Sequence, residues 1–241
     1  MPPSDPSPSS STDDTLDLRL PPEDLGLPPA CGAALFTDGG RPPVQDDEPC
    51  AGPLLDNLAA WGPADTSAGL FQLVPVRPDR DLSLISGWMN DPAVAAFWKL
   101  AGPPEITGAH LRAQLDGDGR SVPCLGVLAG VPMSYWEIYR ADLDPVARYY
   151  PARPHDTGVH LLLGGVADRG RGLGTTLLRA VADLVLDHRP HCCRVVAEPD
   201  LRNTPSVAAF LGAGFRYSAE IDLPNKRAAL MIRDRALRHL L

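Results

Sequence analysis

Residues 158–188 read strand, glycine turn, helix, and this succession constrains the fold more than any other stretch of the chain. Gly158-Val159-His160-Leu161-Leu162-Leu163 is an apolar run of strand length. Asp168-Arg169-Gly170-Arg171-Gly172-Leu173-Gly174 follows it. Leu173, Leu177, Ala180-Val181 and Leu184 then recur at spacings of three and four, the signature of one buried helical face. A glycine turn between a strand and a helix N-terminus is a seat for phosphate. The first-turn N–H groups lack intrahelical partners, and the positive end of the helix dipole points the same way. Arg169 and Arg171 add charged donors.

The rest of the pattern places this unit in a mixed α/β domain. Residues 71–76 alternate as a strand, of edge type because Pro75 cannot donate to a ladder. Helices are expected over 79–90, with Asp79 as cap, over 92–98, and over 105–115. Two strands, 123–128 and 133–140, flank a turn at 129–132. Residues 141–156, rich in Asp, Pro and Tyr, read as a loop. After the 175–188 helix come a strand at 193–197, a helix capped by Asn203 or Thr204, and strands at 215–221 and 227–232. The order β-α-α-α-β-β-β-α-β-α-β-β predicts a twisted mixed sheet of about seven strands with helices on both faces. It is not a Rossmann repeat, and the glycine turn lacks the Gly-Lys-Ser/Thr ending of a triphosphate loop.

Charge divides the 241 residues in two. Residues 1–66 hold 12 acidic and 2 basic residues and 13 of the 27 prolines, whereas 67–241 hold 18 acidic and 20 basic. The expectation is an acidic extension over 1–66, disordered over 1–30 and partly docked over 31–66 through Ala34-Leu35-Phe36, Leu54-Leu55 and Trp61, before a domain over 67–241. No basic stripe suits nucleic acid, and no apolar run approaches 18 residues. With no apolar leader, a cytoplasmic protein without a membrane partner is expected. The five cysteines, 31, 50, 124, 192 and 193, have no Cys-x-x-Cys spacing, so neither a disulfide framework nor a metal site is expected.

Arg169-x-x-Gly172-x-Gly174 in this setting resembles the acyl-CoA pyrophosphate loop of the GNAT N-acyltransferases. Glu198-Pro199-Asp200-Leu201-Arg202-Asn203 and Ala209-Phe210-Leu211-Gly212-Ala213-Gly214-Phe215 resemble the later strand, helix and closing turn of that family. Within it, four further blocks resemble the acyltransferases of hydroxamate siderophore biosynthesis. They are Trp88-Met89-Asn90-Asp91-Pro92 with Phe97-Trp98, Tyr135-Trp136-Glu137-Ile138-Tyr139, Gly158-Val159-His160-Leu161-Leu162, and Leu223-Pro224-Asn225-Lys226-Arg227-Ala228. The aminoglycoside 6′-N-acetyltransferases are relatives that share the Pro-Asp-x-x-Asn segment.

The resemblance implies an acyl-CoA co-substrate, acetyl-CoA first among candidates, held by Arg169, Gly170, Arg171, Gly172, Leu173, Gly174 and Asn203. It implies His160 and Glu198 as catalytic residues. A histidine among apolar neighbours also suits a core position, and Glu198 also suits pairing with Arg202; Asp200 is assigned to capping the next helix. Trp98, Trp136, Tyr139 and Tyr150 are candidates to line an acceptor pocket or, equally, to be core, with Glu137 meeting a substrate ammonium. The expected reaction is direct attack of an acceptor nitrogen on the thioester, with no acyl-cysteine. A hydroxylamine nitrogen is largely unprotonated at neutral pH and needs little help from a base. The resemblance implies as acceptor an N-hydroxylated amine such as N6-hydroxylysine, N5-hydroxyornithine or N-hydroxycadaverine. An aminoglycoside acetyltransferase and a non-catalytic CoA-binding module stay open, as do monomer and homodimer.

Overall fold

The computed structural model describes residues 54, 55 and 57–240. The expectations for residues 1–53, including Cys31, Cys50 and the Ala34-Leu35-Phe36 cluster, lie outside the described residues. One sheet carries eight strands in the order β1-β2-β3-β4-β5-β6-β8-β7. These are β1 (Ala64–Thr66), β2 (Gly69–Pro75), β3 (Ser121–Leu128), β4 (Val131–Arg140), β5 (Thr157–Leu163), β6 (Arg194–Ala197), β7 (Arg216–Leu223) and β8 (Lys226–Asp234). Every neighbouring pair is antiparallel except β5 and β6. The helices are α1 (Pro78–Met89), α2 (Pro92–Trp98), α3 (Pro104–Leu115), α4 (Leu173–His188) and α5 (Thr204–Gly212).

Proline punctuates this domain. Helices α1, α2, α3 and α5 each carry Pro in the first two positions, where a fixed φ helps and a missing N–H costs nothing. Asp91 and Asn203 cap α2 and α5 through side-chain oxygens. The cap foreseen at Asp79 is instead supplied by Asp81, whose carboxylate accepts from Arg77 N at 2.8 Å. Among the α-helices of the described residues, only α4 begins without proline or a side-chain cap, after Gly172 in the left-handed region at φ 79°.

Two apolar layers sandwich the sheet. Trp136, Ile138 and Val159 pack with Leu177, Leu178, Val181 and Val185 of α4. On the opposite face Tyr135 and Leu162 pack with Ile85, Met89, Val94 and Leu111 of α1–α3. The alternation of β4 thus sends Trp136 one way and Tyr135 and Glu137 the other.

The sheet and its core take in residues before 67. Leu55, Leu58 and Trp61 are buried in the α4-side core, and Trp61 stacks on His188 with ring centroids 5.3 Å apart. Strand β1 then adds the eighth strand. It pairs only with Gly69, Leu70 and Phe71, so β2 is interior there but free of β1 at Pro75, where a missing donor is tolerated. Leu55 and Trp61 are among the residues expected to dock, and a few buried side chains suffice for it despite the acidic, proline-rich composition.

Candidate active site

Strands β5 and β6 pair over only two rows, Thr157–Val195 and Gly158–Val196, and then part. Gly164 N donates to Met133 O and Ala141 N to Asp156 O, so even-numbered residues of β5 turn their main chain toward β4. The main-chain groups of Val159 and Leu161 therefore face the gap. Glu198 follows β6 directly on its far side. Gly158 makes the approach possible, since a Cβ there would overlap the Tyr139 ring.

His160 bridges two carboxylates from the flanking strands. Its Nδ1 lies 2.9 Å from Glu137 Oε2, and its Nε2 lies 2.5 Å from Glu198 Oε1. Glu137 pairs with His160 in the β4–β5 register, which puts both side chains on the α1–α3 face. Its other oxygen meets His110 Nε2 at 2.5 Å and accepts from Gln114 Nε2 and the Tyr135 hydroxyl, each at 2.9 Å. The Tyr139 hydroxyl donates to Glu198 Oε2 at 2.8 Å, and Lys226 Nζ lies 3.6 Å from Glu198 Oε1.

Burial opposes every charge here, but the charges answer one another. Burial alone would lower His160; Glu198 and Glu137 outweigh it and raise it to about 10. Burial would raise Glu198, yet His160 and Lys226 hold it down to about 2. Glu137 is likewise held well below the carboxylate range, against burial, by His110 and His160. Burial and Glu198 push the Tyr139 phenol well up, so it remains a donor. At neutral pH His160 is an imidazolium between two carboxylates.

Beside the gap lies a cavity of about 630 Å³ lined by Leu161, Arg169, Gly170, Gly172, Gly174 and Thr175 among others. Gly170 and Gly172 have φ of 71° and 79°, and the space where each Cβ would stand is open. Their role is backbone conformation and access rather than packing. The uncapped first turn of α4 opens here, with donors and dipole aimed into the cavity. The donor set thus fits a pyrophosphate. Arg169 is committed to the protein: Nε to Leu163 O at 3.1 Å, Nη2 to Gly164 O at 3.0 Å, Nη1 to Asp91 Oδ2 at 3.1 Å. It ties the turn to β5 and to the cap of α2. Arg171 is exposed on the turn, and Leu173 opens α4 half-buried. Asn203 lines the cavity's edge while its Oδ1 accepts from Ser206 N.

A second cavity, about 310 Å³, shares Trp98, Leu161 and Asn203 with the first and reaches His160, Glu198 and Lys226. A third, about 520 Å³, lies beyond His160 and shares His110, Glu137 and His160 with the second. The His160–Glu198 pair thus lies between two chambers. Cys124, Cys192 and Cys193 line none of them.

Several placements differ from expectation. Trp136 is fully buried on the α4 face, its Nε1 donating to Ser134 Oγ at 2.9 Å, and lines none of these three cavities. Tyr150 is also buried, bonded to Asp156. Trp98 does line the site, edge-on to His160 at 6.1 Å. Glu137 lines two of the cavities, but both its oxygens already meet protein partners, His110, Gln114 and Tyr135 on Oε1 and His160 on Oε2. Asp200 does not cap α5 but pairs with Arg202 at 2.7 Å, which leaves Glu198 free for His160. His110 and Gln114 were missed, although their i, i+4 spacing puts them on one face of α3.

The "Acetyltransferase (GNAT) domain" family model matches residues 77–223. A lysine N-acyltransferase MbtK from Mycobacterium sp. (strain MCS) is 38% identical over 168 residues, covering 70% of this chain and 68% of that protein. An N(6)-hydroxylysine O-acetyltransferase from Escherichia coli is 35% identical over 158 residues, 66% of this chain but 50% of that protein. An uncharacterized protein from Bacillus halodurans, solved by crystallography, superposes with a TM-score of 0.69 at 33% identity, covering 75% of this chain and 94% of that one.

Proposed function

The chain belongs to the GNAT acetyltransferase family and is an acyltransferase, and from that premise we propose that it acylates the nitrogen of an N-hydroxylated amine, forming a hydroxamate for siderophore biosynthesis. One observation carries the reading. At neutral pH the reacting centre holds an imidazolium and two low-pKa carboxylates, and none of these is a strong base. An alkylammonium would have to lose a proton to such a base before attacking. A hydroxylamine nitrogen arrives neutral and needs no such help. Relatives named for N(6)-hydroxylysine and hydroxyornithine support the same acceptor class, while MbtK is named for lysine.

Acyl-CoA supplies the activated acyl carbon and a sulfur leaving group. The first turn of α4 and the turn at Gly170 and Gly172 would hold its pyrophosphate. The main chain of Leu161, turned into the gap, would receive the thioester and offer an N–H to the developing oxyanion. Attack removes one proton from nitrogen, and the departing sulfur needs one. Glu198 accepts the first and His160 donates the second. The short Glu198–His160 hydrogen bond then returns the proton between them, so the centre resets without solvent. Holding two substrates on either side of His160 contributes the remainder of the rate.

Incubating the protein with acetyl- or succinyl-CoA and N6-hydroxylysine, N5-hydroxyornithine or N-hydroxycadaverine tests this. Product mass shows transfer, and ferric complexation separates a hydroxamate from an O-acyl ester. Transfer to an aminoglycoside with none to any hydroxylamine overturns the proposal.

A further inference from the structure

We infer that the chamber of about 520 Å³ beyond His160 receives the far end of the acceptor, and that Asp144 there is the counter-ion for a terminal ammonium. The acceptor is then a mono-N-hydroxylated diamine rather than an N-hydroxylated amino acid. The inference rests on the preceding reading for the hydroxylated end only.

The chamber is lined by His110, Gln114, Arg120, Glu137, Asp144 and His160, among others. Most of its charges are already answered. Arg120 places Nε and Nη2 on the Asp118 carboxylate, and its Nη1 donates to Leu143 O at 2.7 Å. Both oxygens of Glu137 are taken by His110, Gln114, Tyr135 and His160. Asp144 is different. One oxygen accepts from Val146 N at 2.9 Å, and among the described residues it forms no ion pair. Arg120 acts on it only at longer range, and burial lifts its pKa, with Glu198 adding to the effect. A half-buried carboxylate in that position gains most from an incoming cation.

The same inventory disfavours an α-carboxylate. The one guanidinium among the chamber's lining residues is Arg120, whose charge Asp118 already answers, and a carboxylate bound there would share the chamber with the Asp144 carboxylate. A diamine meets a vacant acceptor and no competing anion. Because His160 and Asp144 line one chamber, a single extended chain can place its hydroxylamine at the first and its ammonium at the second.

The test compares N-hydroxycadaverine, N6-hydroxylysine and uncharged-ended N-hydroxypentylamine in the full chain and in Asp144→Asn, which keeps an oxygen for Val146 N. The full chain should prefer N-hydroxycadaverine to N6-hydroxylysine. In Asp144→Asn the kcat/KM ratio of N-hydroxycadaverine to N-hydroxypentylamine should fall on the order of tenfold or more, chiefly through KM. An unchanged ratio, or a preference for N6-hydroxylysine, overturns the inference while leaving hydroxamate formation standing. Calorimetry with cadaverine gives a second readout independent of turnover: binding to the full chain and its loss in Asp144→Asn. If no hydroxylamine is acylated yet cadaverine binds through Asp144, the proposed reaction fails and the ammonium site survives.

Discussion

His160 Nε2 lies 2.5 Å from Glu198 Oε1, across the line where β5 and β6 part. That contact, with Glu137 on the other ring nitrogen, fixes both the orientation of the imidazole and its charge. Its titration should therefore be displaced far from that of an ordinary histidine. By NMR, one histidine should remain protonated through neutrality and titrate at about 10. A midpoint near the usual 6.5 would refute the charge assignment.

The linkage to stability follows in sign. His160 is raised from 6.5 to about 10, so its contribution is complete below 6.5 and is lost as pH rises through that window. Glu198 is lowered from 4.5 to about 2, so its contribution is present above 4.5 and is lost as pH falls toward about 2. Denaturant midpoints measured across pH should decline at both ends. In Glu198→Gln the alkaline decline should shift to lower pH, because His160 loses its principal counter-charge.

Replacing either member of the pair should damage turnover without damaging cofactor affinity. His160→Gln and Glu198→Gln are each expected to lower kcat by about 10²–10⁴-fold. Calorimetric affinity for CoA should hold, since the α4 turn is untouched. Two variants at full rate would remove these residues from the mechanism.

Gly172→Ala isolates the turn. The space at its Cβ is open, so the penalty comes from φ 79°, about 1–2 kcal/mol in the left-handed region. The expected result is a modest loss of thermal stability with a raised KM for acyl-CoA and no change in acceptor selectivity. Gly158→Ala should be far more damaging to folding, because its methyl would collide with the Tyr139 ring.

The two tryptophans should separate cleanly. Trp136→Ala removes a fully buried side chain and should cost about 3–5 kcal/mol of stability. Trp98→Ala, at the mouth of the site, should raise the acceptor KM with a smaller stability loss. The reverse pattern would mean that Trp136 belongs to the site and Trp98 to the core.

Much of the architecture was legible before any coordinates. Periodicity located the five helices and seven of the eight strands, because apolar spacing of two or about 3.6 is a local property of the chain. The glycine turn was legible too, since a strand, consecutive glycines and an amphipathic helix are contiguous. Strand β1 was not, because three residues beside a proline-rich segment carry no period of their own.

The site divides along the same line. Sequence alone marked His160 and Glu198 as candidates, but it put Trp136 and Glu137 together at one acceptor pocket, whereas the strand sends them to opposite faces. It carried no sign of which face would hold the chemistry. That was decided by the two-row pairing of β5 with β6 and by the docking of α1–α3. Glu137 illustrates the limit: its partners His110 and His160 lie 27 and 23 residues away, and His160 finds Glu198 at 38. Local propensity acts over a few residues, whereas a histidine's charge state is set by whichever carboxylates the sheet register delivers to it in a low-dielectric interior. The glycine turn is therefore a property of contiguous sequence, and the charge array around His160 is a property of the assembled sheet.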